Sequence, residues 1–298
     1  MIEKIQNFIR KNSKPLIVVL GPTASGKTKL AIAIAKKFKG EIVNADSRQV
    51  YQEMNIGTAK PTIQEQKQAK HHLIDIIKPD QSYSLSDYKK QAESIIDNLH
   101  KNEITPVLSG GTGLYLSAII ENYQLPDVKP NQKLRSELEK LSNEQLQQNL
   151  NKIDPQKAKT IHPNNRRYII RAIETANQPV QKSTPKYQTM KIGIEWPRKK
   201  LYQRIETRID QQLDAGLLEE ARQLLKKYPH DLSALTSLGY QELGKYFKNL
   251  YNYEQAIEEF KKNTRNYAKR QLTWFRRYQD INWIAAEEIE QIINALKK

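Results

Sequence analysis

The chain contains no cysteine. Disulfide bridges and thiolate-bound metals are therefore excluded, and a cytosolic setting is expected. Long apolar runs are missing too. No stretch approaches the roughly 20 apolar residues that a membrane helix needs. Met1 to Lys14 is charged and has no apolar segment, so no secretory signal is expected. Acidic residues are scarce beside basic ones, 33 against 49, which leaves a net charge of +16. That sign suits a polyanionic partner, although a surface that is merely lysine-rich gives the same total. The excess is spread along the chain, so local stripes carry more information than the sum. No internal repeat occurs, and the compositional bias is confined to a Gln/Asn-rich run at 143–151.

What the sequence does have is a stretch from Pro15 to Phe38. Pro15–Leu20 is a short apolar, β-branched run, the pattern of a buried strand. Lys29–Phe38 is rich in alanine and places Leu30, Ile34 and Phe38 at helical spacing. Between them lies Gly21-Pro22-Thr23-Ala24-Ser25-Gly26-Lys27-Thr28, a complete G-x-x-x-x-G-K-[ST] loop. Glycines let successive N–H groups turn inward, Lys27 adds a mobile cation, and the helix start adds its dipole. The Thr28 hydroxyl is of the type that ligates Mg²⁺ against phosphate oxygens. Such a cradle holds ATP, GTP or another diphosphate equally well, so the rest of the chain must decide.

Glu41–Asp46 reads as a second strand ending on a carboxylate. Ligands of open α/β sheets bind outside the carboxyl ends of the strands, so Asp46 is expected in the crevice of the phosphate loop. Its alternative is a helix N-cap. Ile56–Pro61 carries turn signals. His71 and His72 are adjacent, and on a strand they face opposite sides, so hydrogen-bonded structural roles are expected rather than a shared metal. Ser86–Lys101 is a helix, and Ile104–Leu108 a strand running into Gly110 and Gly111. Two glycines there allow close backbone approach to a ligand, with Thr112 as a polar contact.

From about Tyr123 to Pro185 strand signals vanish, and prolines stand at 126, 130, 155, 163, 179 and 185. Leucines at 134, 138 and 141 and isoleucines at 169, 170 and 173 mark two amphipathic helices of an expected helical insertion. Arg167 and Arg171 share one helix face. Like charges so placed repel unless an anion lies between them, or unless Glu174 relieves Arg171. Lys191–Trp196 returns as a strand. A long helix follows, on which Lys200, Arg204 and Arg208 recur every four residues, and neither arginine has an acid one turn away. That stripe asks for an external anion. The last helix, about Glu254 to Tyr278, holds seven basic residues and no acid between Lys261 and Arg277. Tyr267, Trp274 and Tyr278 are interleaved, a mixture that suits RNA, with burial in a core as the alternative.

Together these segments resemble the tRNA dimethylallyltransferases, the IPP transferase family, which prenylate an anticodon-loop adenosine. The resemblance runs from Pro15 to about Arg277. It rests on Gly21–Thr28, Asn44–Tyr51, Gly57–Pro61, His71–Asp75, Gly110–Tyr115, Ile161–Asn165, Arg171–Glu174, Gly216–Glu220, Leu238–Leu243 and Thr264–Arg277. It implies an α/β fold with a P-loop NTPase-like parallel sheet, formed by residues 1–122 and 189–298, and an all-helical insertion at 123–188 that grips the anticodon stem. It also implies that Gly21, Pro22, Thr23, Ala24, Ser25, Gly26, Lys27 and Thr28 hold the diphosphate of dimethylallyl diphosphate, with Mg²⁺. Asp46 would be the general base for the adenine N6 amine, and Thr23 and Arg208 would steady the leaving diphosphate. The implied tRNA contacts are Asp46, Ser47, Arg48, Gln49, Thr112, Arg135, Arg167, Tyr168, Ile169, Ile170, Arg171, Gly239, Tyr240 and Gln241. Relatives often carry arginine where this chain has Tyr168. The implied protein is a cytoplasmic monomer without membrane attachment.

Three other readings use parts of this pattern. A P-loop small-molecule kinase shares the loop and an Asp after the second strand, but gives no reason for the insertion or the basic helix. A prenyltransferase of free adenine nucleotides leaves the basic surface idle. An RNA-binding switch needs no carboxylate facing the loop.

Overall fold

Leu16 to Leu20 are all fully buried. An apolar run without alternation belongs at the centre of a parallel sheet, covered on both faces. The computed structural model, which describes residues 1–126, 131–175 and 181–297, places it there. The strands are β1 (Pro15–Leu20), β2 (Gly40–Asn44), β3 (His71–His72), β4 (Thr105–Gly110), β5 (Tyr123–Gln124), β6 (Gln181–Lys182), β7 (Gln188–Glu195) and β8 (Asn282–Ala285). Six of them form one sheet in the order β3-β2-β4-β1-β7-β8. Every neighbouring pair in it is parallel. This is the α/β architecture expected from the sequence. Truncating one of these central side chains, Ile17→Ala for example, should cost roughly 2–5 kcal/mol.

The chain divides into two compact units, Met1–Ile120 with Pro185–Lys298, and Glu121–Thr184. In the first, the helix Lys27–Lys37 covers one sheet face, joined by Ile2–Lys11 and Ile289–Lys297 in a shared apolar cluster. Leu85–Lys101 and Gly113–Ile120 cover the other face. Leu85–Lys101 begins at a reciprocal cap between Ser84 and Asp87. The helices Arg198–Asp214, Leu217–Lys227, Tyr240–Phe247 and Tyr253–Phe275 pack around a separate core that includes Ile205, Tyr240 and Phe260. Pro185 to Gln188, counted with the insertion in the division that the resemblance implied, belong to this first unit. Lys186 and Tyr187 both bond Asp97, and Gln188 opens β7.

The second unit contains the helices Gln132–Leu138, Asn143–Ile153, Pro155–Thr160 and Arg166–Glu174. Leu138, Leu146, Leu150, Ile169 and Ile170 meet in its core. It is not purely helical: β5 and β6 pair as a short antiparallel ribbon. Pro130 and Pro179, named above among the prolines of this segment, lie outside the described residues. Elements of the first unit with no expectation behind them include the helices Ile2–Lys11, Ile63–Gln68, Leu217–Lys227 and Ile289–Lys297 and the edge strand β8. Among the described residues no helix is long and apolar enough to cross a membrane.

Candidate active site

Register alone brings the site together. Leu20 at the end of β1 pairs with Gly110 at the end of β4, and Asn44 at the end of β2 pairs with Ser109. Three strand ends therefore emit their next residues side by side: the loop from Gly21, the turn from Gly111 and the segment from Ala45. Ala45 donates its N–H to Ser109 O at 2.8 Å, and Thr112 donates to Ala45 O at 3.1 Å. A single cavity at these ends is lined by Thr23, Lys27, Thr28, Asp46, Gln49, Arg208, Tyr267 and Gln271, among others.

The phosphate loop has the expected form. Gly26 precedes the helix with φ of 100°, a left-handed conformation that favours glycine. The helix N-terminus and its unpaired N–H groups open on the cavity. The Lys27 ammonium donates to Pro22 O at 2.7 Å, within its own loop. Its pKa is lowered to about 7, first by burial and then by the Arg208 charge, with Asp46 acting the other way. Ser25 Oγ is buried and has no hydrogen-bond partner.

Arg208 reaches the same space from the helix Arg198–Asp214. It lies 3.5 Å from Thr23 Oγ1 and 3.5 Å from Ala59 O. Burial pulls its pKa down, and the charge of Asp46 opposes that. The three-residue cationic stripe does not act as one surface. Lys200 pairs with Glu287 at 3.2 Å. Arg204 donates to Ala24 O at 2.9 Å, and its guanidinium lies 4.2 Å from the Trp196 ring centre. Arg208 alone of the three lines the cavity. The indole of Trp196 in turn donates to Ser25 O at 2.9 Å. Arg204 and Trp196 thus hold the phosphate loop at Ala24 and Ser25, while Arg208 reaches the cavity.

Asp46 lies in the crevice, as expected, but no helix follows it for the carboxylate to cap. Its Oδ1 accepts the Arg48 N–H at 2.9 Å, tying off the turn that follows β2. The carboxylate also lines the cavity with Lys27 and Arg208. Thr112 Oγ1 accepts the Ser47 N–H at 2.9 Å and donates to Ser47 Oγ at 3.2 Å. Arg48 donates to Ser233 O at 2.6 Å, and the Gln49 amide donates to Thr58 O and Ala59 O. Tyr267 stands beside them. Burial, and then the nearby Asp46 charge, raise its pKa, so the hydroxyl stays protonated.

Other residues singled out from the sequence fall elsewhere. Tyr240 is fully buried, and its hydroxyl donates to Glu220 at 2.6 Å. Glu220 accepts the N–H groups of Asn55, Ile56 and Gly57, so Tyr240 props the 57–61 wall of the cavity from behind. Its side chain has no surface to offer an RNA. Gly239 donates its N–H to Glu242 at 2.8 Å, and the Gln241 amide donates to the same carboxylate at 3.0 Å. In the second unit Ile169 and Ile170 are core residues, while Tyr168 is 60% exposed beside the exposed Arg167. Arg135 and Arg171 both bond Glu174, at 2.7 and 3.2 Å. Arg171 is thus relieved by an acid one turn on, as its alternative required.

The basic last helix draws its acids from other positions. Lys261 pairs with Asp210, Lys262 with Glu259 and Arg265 with Glu206. The indole of Trp274 donates to Ser117 Oγ at 3.0 Å, and Tyr278 OH bonds the same atom at 2.6 Å. These two aromatics are anchors, whereas Tyr267 lines the cavity. His71 bonds Ala69 O at 2.8 Å and His72 bonds Glu41 at 2.6 Å, each on its own side of β3. Among the described residues no group of three His, Cys, Asp or Glu is placed to hold a metal. Gly110, which ends β4, and Gly111 after it both line the cavity, and both also make room for protein: a Cβ on Gly110 would meet the Ala45 backbone, and one on Gly111 the Gln271 amide. No role was expected for Gln271, Glu220 or Trp196, although the first two lie in segments that carry the family resemblance.

The comparisons with known proteins agree with one another. A model of the family described as IPP transferase matches residues 49–278. The chain is 43% identical to a tRNA dimethylallyltransferase of Halothermothrix orenii, an alignment covering 100% of this chain and 97% of that protein. It is 41% identical to one of Alkaliphilus metalliredigens, over 96% of each. A crystal structure of a tRNA isopentenylpyrophosphate transferase from Bacillus halodurans matches with a TM-score of 0.73 at 38% identity, covering 95% of this chain and 96% of that one. A eukaryotic dimethylallyltransferase acting on tRNA matches with a TM-score of 0.81 at 28% identity, covering 93% and 75%.

Proposed function

The chain belongs to the IPP transferase family, and from that premise we propose that it transfers a dimethylallyl group from dimethylallyl diphosphate to the N6 amine of adenosine 37 in the anticodon loop of tRNA. Diphosphate is the other product. The observation that carries this reading is a shared cavity: Thr23, Lys27 and Arg208 line it together with Asp46. Cations and loop amides for a leaving diphosphate stand across from a carboxylate that can take a proton.

The chemistry follows from that arrangement. As the allylic C–O bond breaks, negative charge grows on the diphosphate. Loop N–H groups, Lys27, Arg208 and the Thr23 hydroxyl are fixed where that charge develops. Lys27 gives up Pro22 O and turns to the incoming anion, whose charge restores full protonation of the amine. The adenosine leaves its stack to enter the cavity. Asp46 orients the exocyclic amine, and its carboxylate accepts the N6 proton as the new C–N bond forms. A divalent cation fits the donor set. Thr28 lines the cavity, and Mg²⁺ takes most of its ligands from water and substrate phosphates rather than from a protein cage. When bound it would neutralise diphosphate oxygens.

The tRNA side of the reading is supported most by the second unit, where Arg167 and Tyr168 are exposed together. A basic side chain beside an aromatic one suits RNA. Arg135 and Arg171 contribute charge from the Glu174 pair. Asp46 to Gln49 and Thr112 meet the base inside the cavity, and the partly exposed Gln241 keeps its amide oxygen for a further contact; Gly239 is buried with its N–H on Glu242 and its carbonyl on Leu243, and supplies none. One chain supplies every group named, so the reading needs no second copy, and a tRNA substrate is consistent with a cytoplasmic reaction. The test is to incubate the protein with dimethylallyl diphosphate, Mg²⁺ and unmodified tRNA, and to weigh the RNA. Gain of one C5H8 unit is expected. Unchanged RNA beside a consumed nucleoside triphosphate would support the kinase alternative instead.

A further inference from the structure

We propose that Gln271 is a positioning residue that locks the donor side of the cavity to the acceptor side; the proposal rests on the prenyl-transfer reading above. Gln271 lies on the helix Tyr253–Phe275 and is 5% exposed. Its Oε1 accepts the Thr23 N–H at 2.8 Å. Its Nε2 donates to Gly111 O at 2.8 Å. One amide thus satisfies the backbone of the phosphate loop and of the turn after β4, elements that touch opposite partners in the reaction. Thr23 leads to Arg208, 3.5 Å from its hydroxyl. Gly111 leads to Thr112, which holds Ser47, the neighbour of Asp46.

The fit is mutual. A Cβ added to Gly111 would collide with the Gln271 Nε2. The residue at 111 must therefore be small for the amide to arrive. The bridging residue must also carry both a donor and an acceptor. Glutamate has the length but, when ionised, two acceptors, one of which would face the Gly111 carbonyl. Leucine has similar volume and neither group. Both leave a buried backbone group without its partner. The amide also removes the Thr23 N–H from the set available to the anion, so the loop presents its other N–H groups in one fixed arrangement. Misplacement of reacting groups by an ångström can cost about a hundredfold in rate.

The test compares the parent protein with Q271L, Q271E and G111A, using single-turnover transfer to an unmodified anticodon stem-loop and calorimetric titration with pyrophosphate. Q271L is expected to weaken pyrophosphate binding about tenfold and to lower the transfer rate about a hundredfold. G111A, which attacks the same bond from the other end, should follow it. Q271E should regain rate relative to the parent as pH falls, because the protonated carboxyl donates to Gly111 O again. Q271L should not regain rate. Melting curves show whether each variant folds, and Q271E, which exchanges one atom group, serves if Q271L does not fold. Unchanged pyrophosphate affinity and a rate within twofold of the parent in folded Q271L would overturn the proposal. So would a Q271E defect that is the same at every pH. A parent that transfers nothing would defeat the functional reading instead, while the lock would still be judged on pyrophosphate affinity.

Discussion

In the first unit Lys27 and Arg208 face the same cavity, the Arg208 charge helps to lower the Lys27 pKa, and burial depresses both pKa values. In the second unit Arg135 and Arg171 converge on one carboxylate, Glu174, whose side chain is 1% exposed. Burial works to raise the Glu174 pKa, but hydrogen bonds from Arg135, the Asn131 N–H and Arg171 outweigh it and lower the value. The first arrangement is costly in the absence of an anion, since two cations are desolvated with one carboxylate nearby. The second has the same two-to-one count, but both arginines hydrogen-bond the carboxylate directly and stay about a third exposed. Buried cations without a direct ion pair are held for a ligand, whereas a directly paired cluster fixes the shape of the surface around it. The contrast gives each basic residue a different expected phenotype.

The largest effect should come from Lys27. Lys27→Ala removes the mobile cation of the loop, and transfer is expected to fall about a thousandfold, comparable to losing a preorganised charge-stabilising donor. A melting temperature close to that of the parent would show that the loss is chemical. Arg208→Gln should lower the rate by about a hundredfold and weaken pyrophosphate binding, and both variants should keep the parent's tRNA affinity. If either variant lost tRNA binding instead, the division between the two regions would fail.

Glu174→Gln should act in the opposite sense. It leaves Arg135 and Arg171 without their shared carboxylate, so it should destabilise the second unit by about 1–3 kcal/mol. Pyrophosphate binding in the first unit should not change. Because Glu174 has a folded pKa below its ordinary value of 4.5, its contribution is complete above that pH and is lost as pH falls below it. Hydrogen exchange in Gln132–Leu138 and Arg166–Glu174 across that range is the check. Equal acid loosening in E174Q would remove Glu174 from the account.

The smallest effect is a proton. With the Lys27 pKa near 7 in the free protein and 10.5 ordinarily, the unfolded chain binds more protons than the folded one between those values. Stability of the free protein should therefore rise with pH across that window, by the sign of the linkage relation. Binding of pyrophosphate near pH 7 should recharge the amine and take up part of a proton. Calorimetry in buffers of different ionisation enthalpy measures that uptake. K27M should abolish it, and persistence of the uptake would assign it to another group.

How much of this was legible beforehand follows from locality. The phosphate loop is contiguous, and its strand, turn and helix each carry their own signal, so Gly21 to Thr28 could be read directly. Asp46 was readable because a strand end in a parallel sheet has one destination. The insertion was readable from leucine and isoleucine spacing. The stripe of Lys200, Arg204 and Arg208 was misjudged because its partners, Glu287 and Trp196, come from other elements. Tyr240, Ile169 and Ile170 sit in segments that resemble RNA-contacting ones, yet their side chains are core. Gln271 had no local pattern at all. A lone glutamine on a helix acquires meaning only when the fold carries two backbone segments to it, 160 and 248 residues distant in sequence.

The central claim is that one cavity serves both the departing diphosphate and the base that receives the prenyl group, with Asp46 between them. Single-turnover transfer by Asp46→Ala, measured beside its pyrophosphate and tRNA affinities, tests it most directly. The account predicts both affinities near those of the parent and a transfer rate lower by about a hundredfold to ten-thousandfold, the range for removal of a general base. A transfer rate near that of the parent, with both substrates still bound, would contradict it.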